Sequence, residues 1–229
     1  MKRKNHLKRL NTPRTWNLLR KAATFVTRPF PGQGSYILGL PLVHIILELK
    51  KSKTTKEAKT ILHEGKVSVN GKTVKEPKYL IGLFSVVSFP EIKESYRLTL
   101  SAKGKLKIIK IDEKEADLKL CKITGKTAVK GKIQLNLNDG HNHLVEKNGY
   151  AVGDSLLVSL KTFAIKESFS LVKGNLLFMV GGKHIGDKGI IEKIEGKTVT
   201  YKKEDGSVQE TDKRHAFAIG KDKPVFVLQ

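Results

Sequence analysis

Leu42, Ile45, Ile46 and Leu49 recur at i, i+3, i+4 and i+7, the spacing of one buried helical face. Pro41 stands just before them and suits the first turn of a helix. A second helix is predicted after Thr54, which precedes Glu57 by three residues, the capping-box arrangement. Ala58, Ile61 and Leu62 form its apolar face, and Gly65 is its natural left-handed stop. Lys66–Val69 then alternates as a strand, with Val67 and Val69 on one side. Asn70-Gly71 is a strong two-residue hairpin signal, and Lys72–Val74 returns antiparallel.

Before this stretch the pattern is weak. A short helix is expected from Pro13, with Thr12 as N-cap and Trp16, Leu19 and Ala23 sharing a face. The Pro/Gly-rich run Arg28–Gly34 forbids regular structure after it. Beyond the hairpin, Leu80–Phe89 is apolar and β-prone, and from Tyr96 the period becomes 2. Leu98 and Leu100 alternate with polar residues; the phase slips at Ile109 and Ile111, as a bulge or bend requires. Ile133–Leu137 and Leu156–Leu160 read as further strands between Asn/Asp/Gly turns. Leu176–Val180 is a strand, 181–189 a glycine-rich loop, and Ile190-Ile191 restarts a strand. Strands around Thr198–Lys202, Phe217–Ile219 and Val225–Leu228 complete the expected set. Short strands with such turns suggest small barrels or curled sheets. The expected fold class is mixed α+β, mostly β.

Charge changes the picture. Forty-four Lys/Arg face 22 Asp/Glu in 229 residues, a formal net charge of +22. Residues 1–79 hold 18 of the cations and only Glu48, Glu57, Glu64 and Glu76. So basic a balance implies a polyanionic partner. A membrane surface fits poorly, because the basic segment lacks a large apolar face. No apolar run is long enough to span a bilayer, and no secretory h-region follows the basic start, so a cytoplasmic location is expected. Cys121 is the only cysteine, which excludes an intramolecular disulfide and suits a reducing compartment.

Residues 1–40 contain no acid. Lys2, Arg3, Lys4, Lys8, Arg9, Arg14, Arg20, Lys21 and Arg28 make them a basic arm too poor in apolar residues to fold alone. A solvating tail needs no aromatics, so Trp16 and Phe30 favour an arm ordered by nucleic acid, or packed on its neighbour. In the helical stretch, Lys50, Lys51, Lys53, Lys56, Lys59 and Lys66 come from three adjacent elements of one small module. Each alone is an ordinary solvated charge; their convergence points to a shared phosphate-binding surface. In the 181–189 loop, Lys183, His184 and Lys188 are within reach of phosphates, and glycines let backbone approach a partner closely.

Enzymatic signatures fail on spacing. Gly-Lys-Thr occurs at 71–73, 125–127 and 196–198, but the glycine a P-loop needs five residues earlier is Lys66, Leu120 or Ile191. His141 and His143 near Asp139 lack a convergent fourth metal ligand, so no metal is expected. No nucleophile–base pair is apparent.

The run TTKEAKTILHEGKVSVNGKTV with its preceding helix resembles the S4-type RNA-binding module. Strand, spaced-glycine loop and strand at 176–191 resemble a KOW motif. The wider chain resembles the ribosomal protein S4e family of archaea and eukaryotes, through HLKRLNTPRTW at 6–16, KGKIQLNLNDGHN at 130–142, GDSLLVSL at 153–160 and GGKHIGDKG at 181–189. The resemblance implies a non-enzymatic small-subunit component without cofactor. It would bind small-subunit ribosomal RNA and neighbouring ribosomal proteins, as a monomer within the ribosome. The expected organisation is a basic arm (1–40), an S4-type module (41–104), a central β-domain (105–173) and a KOW-like barrel (174–229). The alternative is a KOW-containing transcription or translation factor that binds RNA off the ribosome.

Overall fold

The computed structural model describes residues 6–19, 21, 23–146, 148–203, 205–221 and 224–226. The chain is mixed α+β and mostly β, and it forms two compact units. One comprises Met1–Thr99 with Lys105–Asp117, the other Leu100–Gly104 with Leu118–Gln229.

In the first unit, α1 (Leu42–Glu48) and α2 (Thr55–His63) pack together beside a five-stranded sheet. That sheet runs Lys72–Thr73, Ser68–Val69, Val86–Phe89, Glu94–Leu100, Leu106–Ile111 in spatial order. Of the predicted faces, Leu42, Ile45, Ile46, Ala58 and Leu62 are fully buried, and Leu49 and Ile61 are half-buried; Val67 and Val69 are buried too. The Thr54–Glu57 capping box is complete in both directions. Gly65 (φ +77°) ends α2 in a Schellman motif, its N–H donating to Leu62 and the Lys66 N–H to Ile61. Asn70 (φ +49°) and Gly71 (φ +77°) form the expected hairpin turn.

Arg97 departs from the simple alternation. It follows Tyr96 in a strand whose inward residues are Leu98 and Leu100, yet it is fully buried. A short α3 (Glu113–Ala116) supplies the reason: Glu115 accepts from the guanidinium through its carboxylate at 3.0 Å and its carbonyl at 2.9 Å. Leu106–Ile111 is one strand, and the phase slip shows as two adjacent half-buried residues, Ile108 and Ile109.

The second unit holds two five-stranded antiparallel sheets. The first runs Asn142–Val145, Lys132–Leu137, Leu118–Val129, Ser155–Ser159, Ile165–Phe169. Its core is Cys121, Ile123, Leu135, Leu137, Leu156 and Val158. The second runs Val208–Asp212, Thr198–Lys203, Lys188–Glu195, Leu176–Met179, Ala216–Gly220. The polar strand Val208–Asp212 is absent from the sequence expectation, having no apolar alternation to reveal it. The expected strand at Val225–Leu228 is corrected in part. Val225 and Phe226 lie in a bend tied by the Val225 N–H to Ile219, and 227–228 are outside the described residues.

Candidate nucleic-acid interface

The described residues of the arm belong to the first unit. Leu7–Lys8 pairs with Phe25–Val26, and Arg9–Asn11 is a single 3-10 turn. Among the described residues the helix expected from Pro13 does not form; the chain makes one turn there, the Trp16 N–H donating to the Pro13 carbonyl. Its polar groups have other partners: the Thr15 carbonyl accepts from the Leu106 N–H at 2.7 Å, the Thr15 hydroxyl donates to the Ile37 carbonyl, and Lys105 donates to the Arg14 carbonyl. Trp16 is 3% exposed, against Tyr36 at 5.5 Å and His44 at 6.1 Å between ring centroids. Its expected role in RNA contact is therefore corrected to that of a core anchor. Leu19 and Ala23, expected to share its face, are exposed.

Lys8, Arg14, Lys21 and Arg28 are exposed, and Arg9 is half-buried. Lys2, Arg3, Lys4 and Arg20 lie outside the described residues. Arg9 Nε, Trp16 Nε1 and His44 Nε2 are all buried without a hydrogen-bond partner. Burial, and secondarily the Arg9 charge, pushes the His44 imidazole down to about 4.

The module lysines divide into two groups. Lys50, Lys53, Lys56 and Lys59 are exposed around the turn between α1 and α2 and along α2. Lys51 is instead turned to its own unit, paired with Glu94 and lying 5.8 Å and 5.9 Å from the Phe89 and Tyr96 ring centroids. Glu94 also accepts from Lys110 at 2.7 Å; Lys110 first and Lys51 next hold its carboxyl down at about 2. Lys66 lies 2.9 Å from Glu64 and 3.6 Å from Glu91.

Two of the exposed lysines occupy positions that folding disfavours. Lys50 has φ +54° and sits where α1 ends in a Schellman motif, its N–H on Leu47 and the next on Ile46. Glycine is the usual residue there, because a Cβ is strained in left-handed backbone. Lys56 is the second residue of α2, within the turn whose free N–H groups repel cations. Neither placement is explained by packing, since both side chains face solvent. Backbone geometry of this kind is invisible to a charge count. Lys72 of the hairpin is exposed as well.

In the glycine-rich loop the close approach is internal. A Cβ at Gly186 would stand 2.2 Å from the Ser101 carbonyl oxygen, and one at Gly181 2.4 Å from His215 Nδ1. These glycines therefore admit the chain's own backbone and ring. Lys183 is exposed, Lys188 is half-buried at the start of a strand, and His184 Nδ1 lies 3.5 Å from Asp187. Asp187 also receives Lys203 at 2.6 Å.

Asp139 gathers Lys119 at 2.8 Å and His141 at 3.0 Å, with the Cys121 thiol donating at 3.4 Å. Burial acts to raise the Asp139 pKa, but Lys119 and the His141 amide outweigh it and hold the carboxyl well below the usual range. Burial raises the Cys121 thiol far above its ordinary value. Among the described residues no group of three or more His, Cys, Asp or Glu side chains is arranged to hold a metal ion.

Three family profiles match in order along the chain: the RS4NT domain over residues 1–32, the S4 domain over 40–87, and ribosomal family S4e over 92–165. The small ribosomal subunit protein eS4 of Methanocella arvoryzae is 39% identical over 228 residues, spanning 96% of each chain. That of Methanocaldococcus jannaschii is 39% identical over 240 residues, spanning 98% of each. The crystal structure of the 30S ribosomal protein S4e from Thermoplasma acidophilum matches with a TM-score of 0.72 and 34% identity, over 83% of this chain and 99% of that one. Identity at this level along nearly the whole length, with the three domain matches in register, shows that the chain belongs to the ribosomal S4e family.

Proposed function

We propose that the chain is a structural constituent of the small ribosomal subunit and binds its RNA in the cytoplasm, without catalytic activity or cofactor. The observation that carries this reading is the 38–39% identity, over nearly full length, to proteins named for that subunit. The contact surface would comprise the exposed arm cations Lys8, Arg14, Lys21 and Arg28 and the ridge Lys50, Lys53, Lys56 and Lys59. Lys183 of the glycine-rich, KOW-like loop would add a third contact. Lys51 and Lys66 contribute less, because carboxylates already neutralise them. Phosphate contacts position a protein without reading sequence, so selectivity would come from RNA shape.

Two measurements test it. In sedimented cell extract the protein is expected to travel with small subunits; residence in the soluble pool would favour a KOW-containing factor acting off the ribosome. Binding to small-subunit RNA should weaken with salt, with a log–log slope on the order of −4 to −5 for about six phosphate contacts. A flat salt response would remove the lysines and arginines as the source of affinity.

A further inference from the structure

A cleft of about 790 Å³ opens in the first unit between the His6–Asn11 segment and the Arg28–Tyr36 loop. His6, Lys8 and Arg28 supply cationic or titratable groups to its lining, and Phe30 and Tyr36 supply rings. None of its lining residues is acidic, and the first acid in the chain is Glu48. Both rings remain partly open, Phe30 at 50% and Tyr36 at 38% exposure, yet both are held. The Phe30 N–H donates to the Lys78 carbonyl at 2.8 Å, and the Lys78 ammonium lies 4.9 Å from the Phe30 ring centroid. Tyr36 leans on the buried Trp16. The loop wall is fixed as well: a Cβ at Gly32 would stand 2.5 Å from the Leu80 carbonyl oxygen. Held aromatic surface, cations and no competing carboxylate together select a ligand that is flat and anionic. The volume lies within the range of small-ligand sites.

We propose that this cleft takes one unstacked nucleotide of an RNA chain, its base against Tyr36 and Phe30 and its phosphate on Arg28 and Lys8. The proposal rests on the RNA-binding reading above and adds to it a contact with a base rather than with backbone alone. Unstacked bases are what proteins read in folded RNA, and aromatic side chains are their usual platform. An apolar peptide would leave the cations unanswered.

The test uses the full chain and a transcript of small-subunit ribosomal RNA. Ultraviolet crosslinking is expected to join a base to Phe30 or Tyr36. Phe30→Ala should weaken binding about 5- to 100-fold with the salt slope unchanged, because a stacking contact is lost and no phosphate contact is. Arg28→Gln should instead make the slope shallower by about 0.7–0.9. Circular dichroism checks folding; if Phe30→Ala unfolds, Phe30→Leu keeps apolar volume without the π face and reads the same loss. If the wild type binds with its full salt slope while both variants stay within twofold and crosslinks fall only on α2, the cleft proposal is overturned and the RNA reading stands. If the wild type does not bind, both fall. Free adenosine or uridine monophosphate is titrated in parallel, read by Trp16 fluorescence. Saturation by the free nucleotide with no RNA crosslink in the cleft would overturn the assignment to RNA.

Discussion

The Lys122 ammonium donates to the Ala216 carbonyl at 2.6 Å, and to the carbonyls of Lys213 and Arg214 at 2.8 Å and 3.1 Å. All three donors of one buried lysine thus hold the segment that leads into the last strand of the C-terminal sheet, with the Phe217 ring 5.5 Å away. Burial is the main cause that pulls the group down to about 8, with the nearby Lys213 charge adding to it. The folded state therefore gives up this proton before the unfolded chain does. Between pH 8 and the ordinary lysine value of about 10.5 the unfolded chain binds more protons, so this group makes stability rise with pH across that window. Lys122→Met should abolish that rise and, by leaving three carbonyls without their donor, cost about 2–4 kcal/mol at neutral pH. Denaturant melts of both proteins at pH 7, 8, 9 and 10 check both effects.

His44 gives the same sign in a lower window. Its folded value of about 4 lies below the ordinary 6.5, so the unfolded chain gains a proton first as pH falls. Stability from this group is intact above pH 6.5 and is lost progressively down to about pH 4, by about 2–3 kcal/mol. His44→Gln should flatten acid unfolding over that interval. Unchanged acid sensitivity would mean that the imidazole is solvated in solution.

Trp16 separates packing from recognition. Its burial against Tyr36 and His44 predicts that Trp16→Ala costs about 3–5 kcal/mol of stability. Thermal melts without RNA measure this. A variant that melts like the wild type yet binds RNA poorly would return the indole to the interface.

Lys50 and Lys56 lead to the opposite coupling. Lys50→Gly relieves a left-handed Cβ, and Lys56→Glu puts an anion at a helix start. Each should stabilise the isolated chain by about 0.5–1 kcal/mol. Both should weaken RNA binding and make its salt slope shallower. Variants that gain stability and keep full affinity would reduce the two lysines to surface charges.

Cys121 should resist alkylation in the folded chain and react on unfolding, because the residue is 2% exposed and burial raises its pKa. Rapid labelling of native protein by a maleimide would contradict the buried placement.

Much of the first unit was legible because local chemistry and tertiary packing agree there. Thr54 caps, Gly65 stops, Asn70-Gly71 turns, and the i, i+3, i+4 face is the face that is buried. The arm was misread because its conformation depends on distant groups: Thr15 finds Leu106 and Ile37, and a helix from Pro13 would forfeit both. The burial of Arg97 has no local signal for a related reason, its partner Glu115 lying eighteen residues away on a helix too short to show periodicity. Charge counting found the ridge but not its division. Lys51 and Lys66 look identical to Lys53 and Lys56 in sequence, and only Glu94, Glu64 and Glu91 tell them apart. The glycines at 181 and 186 were recognised as permitting close approach, but sequence could not say to what.

The placement of the Leu100–Gly104 turn bears on how the chain matures as it leaves the ribosome that makes it. Everything the first unit requires has been synthesised once Asp117 has emerged, about half-way along. The turn itself belongs with the second unit, and the backbone that fits against Ser101 arrives only with Gly186, some 85 residues later in synthesis. The residues of the first unit are thus complete in the nascent chain while one turn still waits for its glycine.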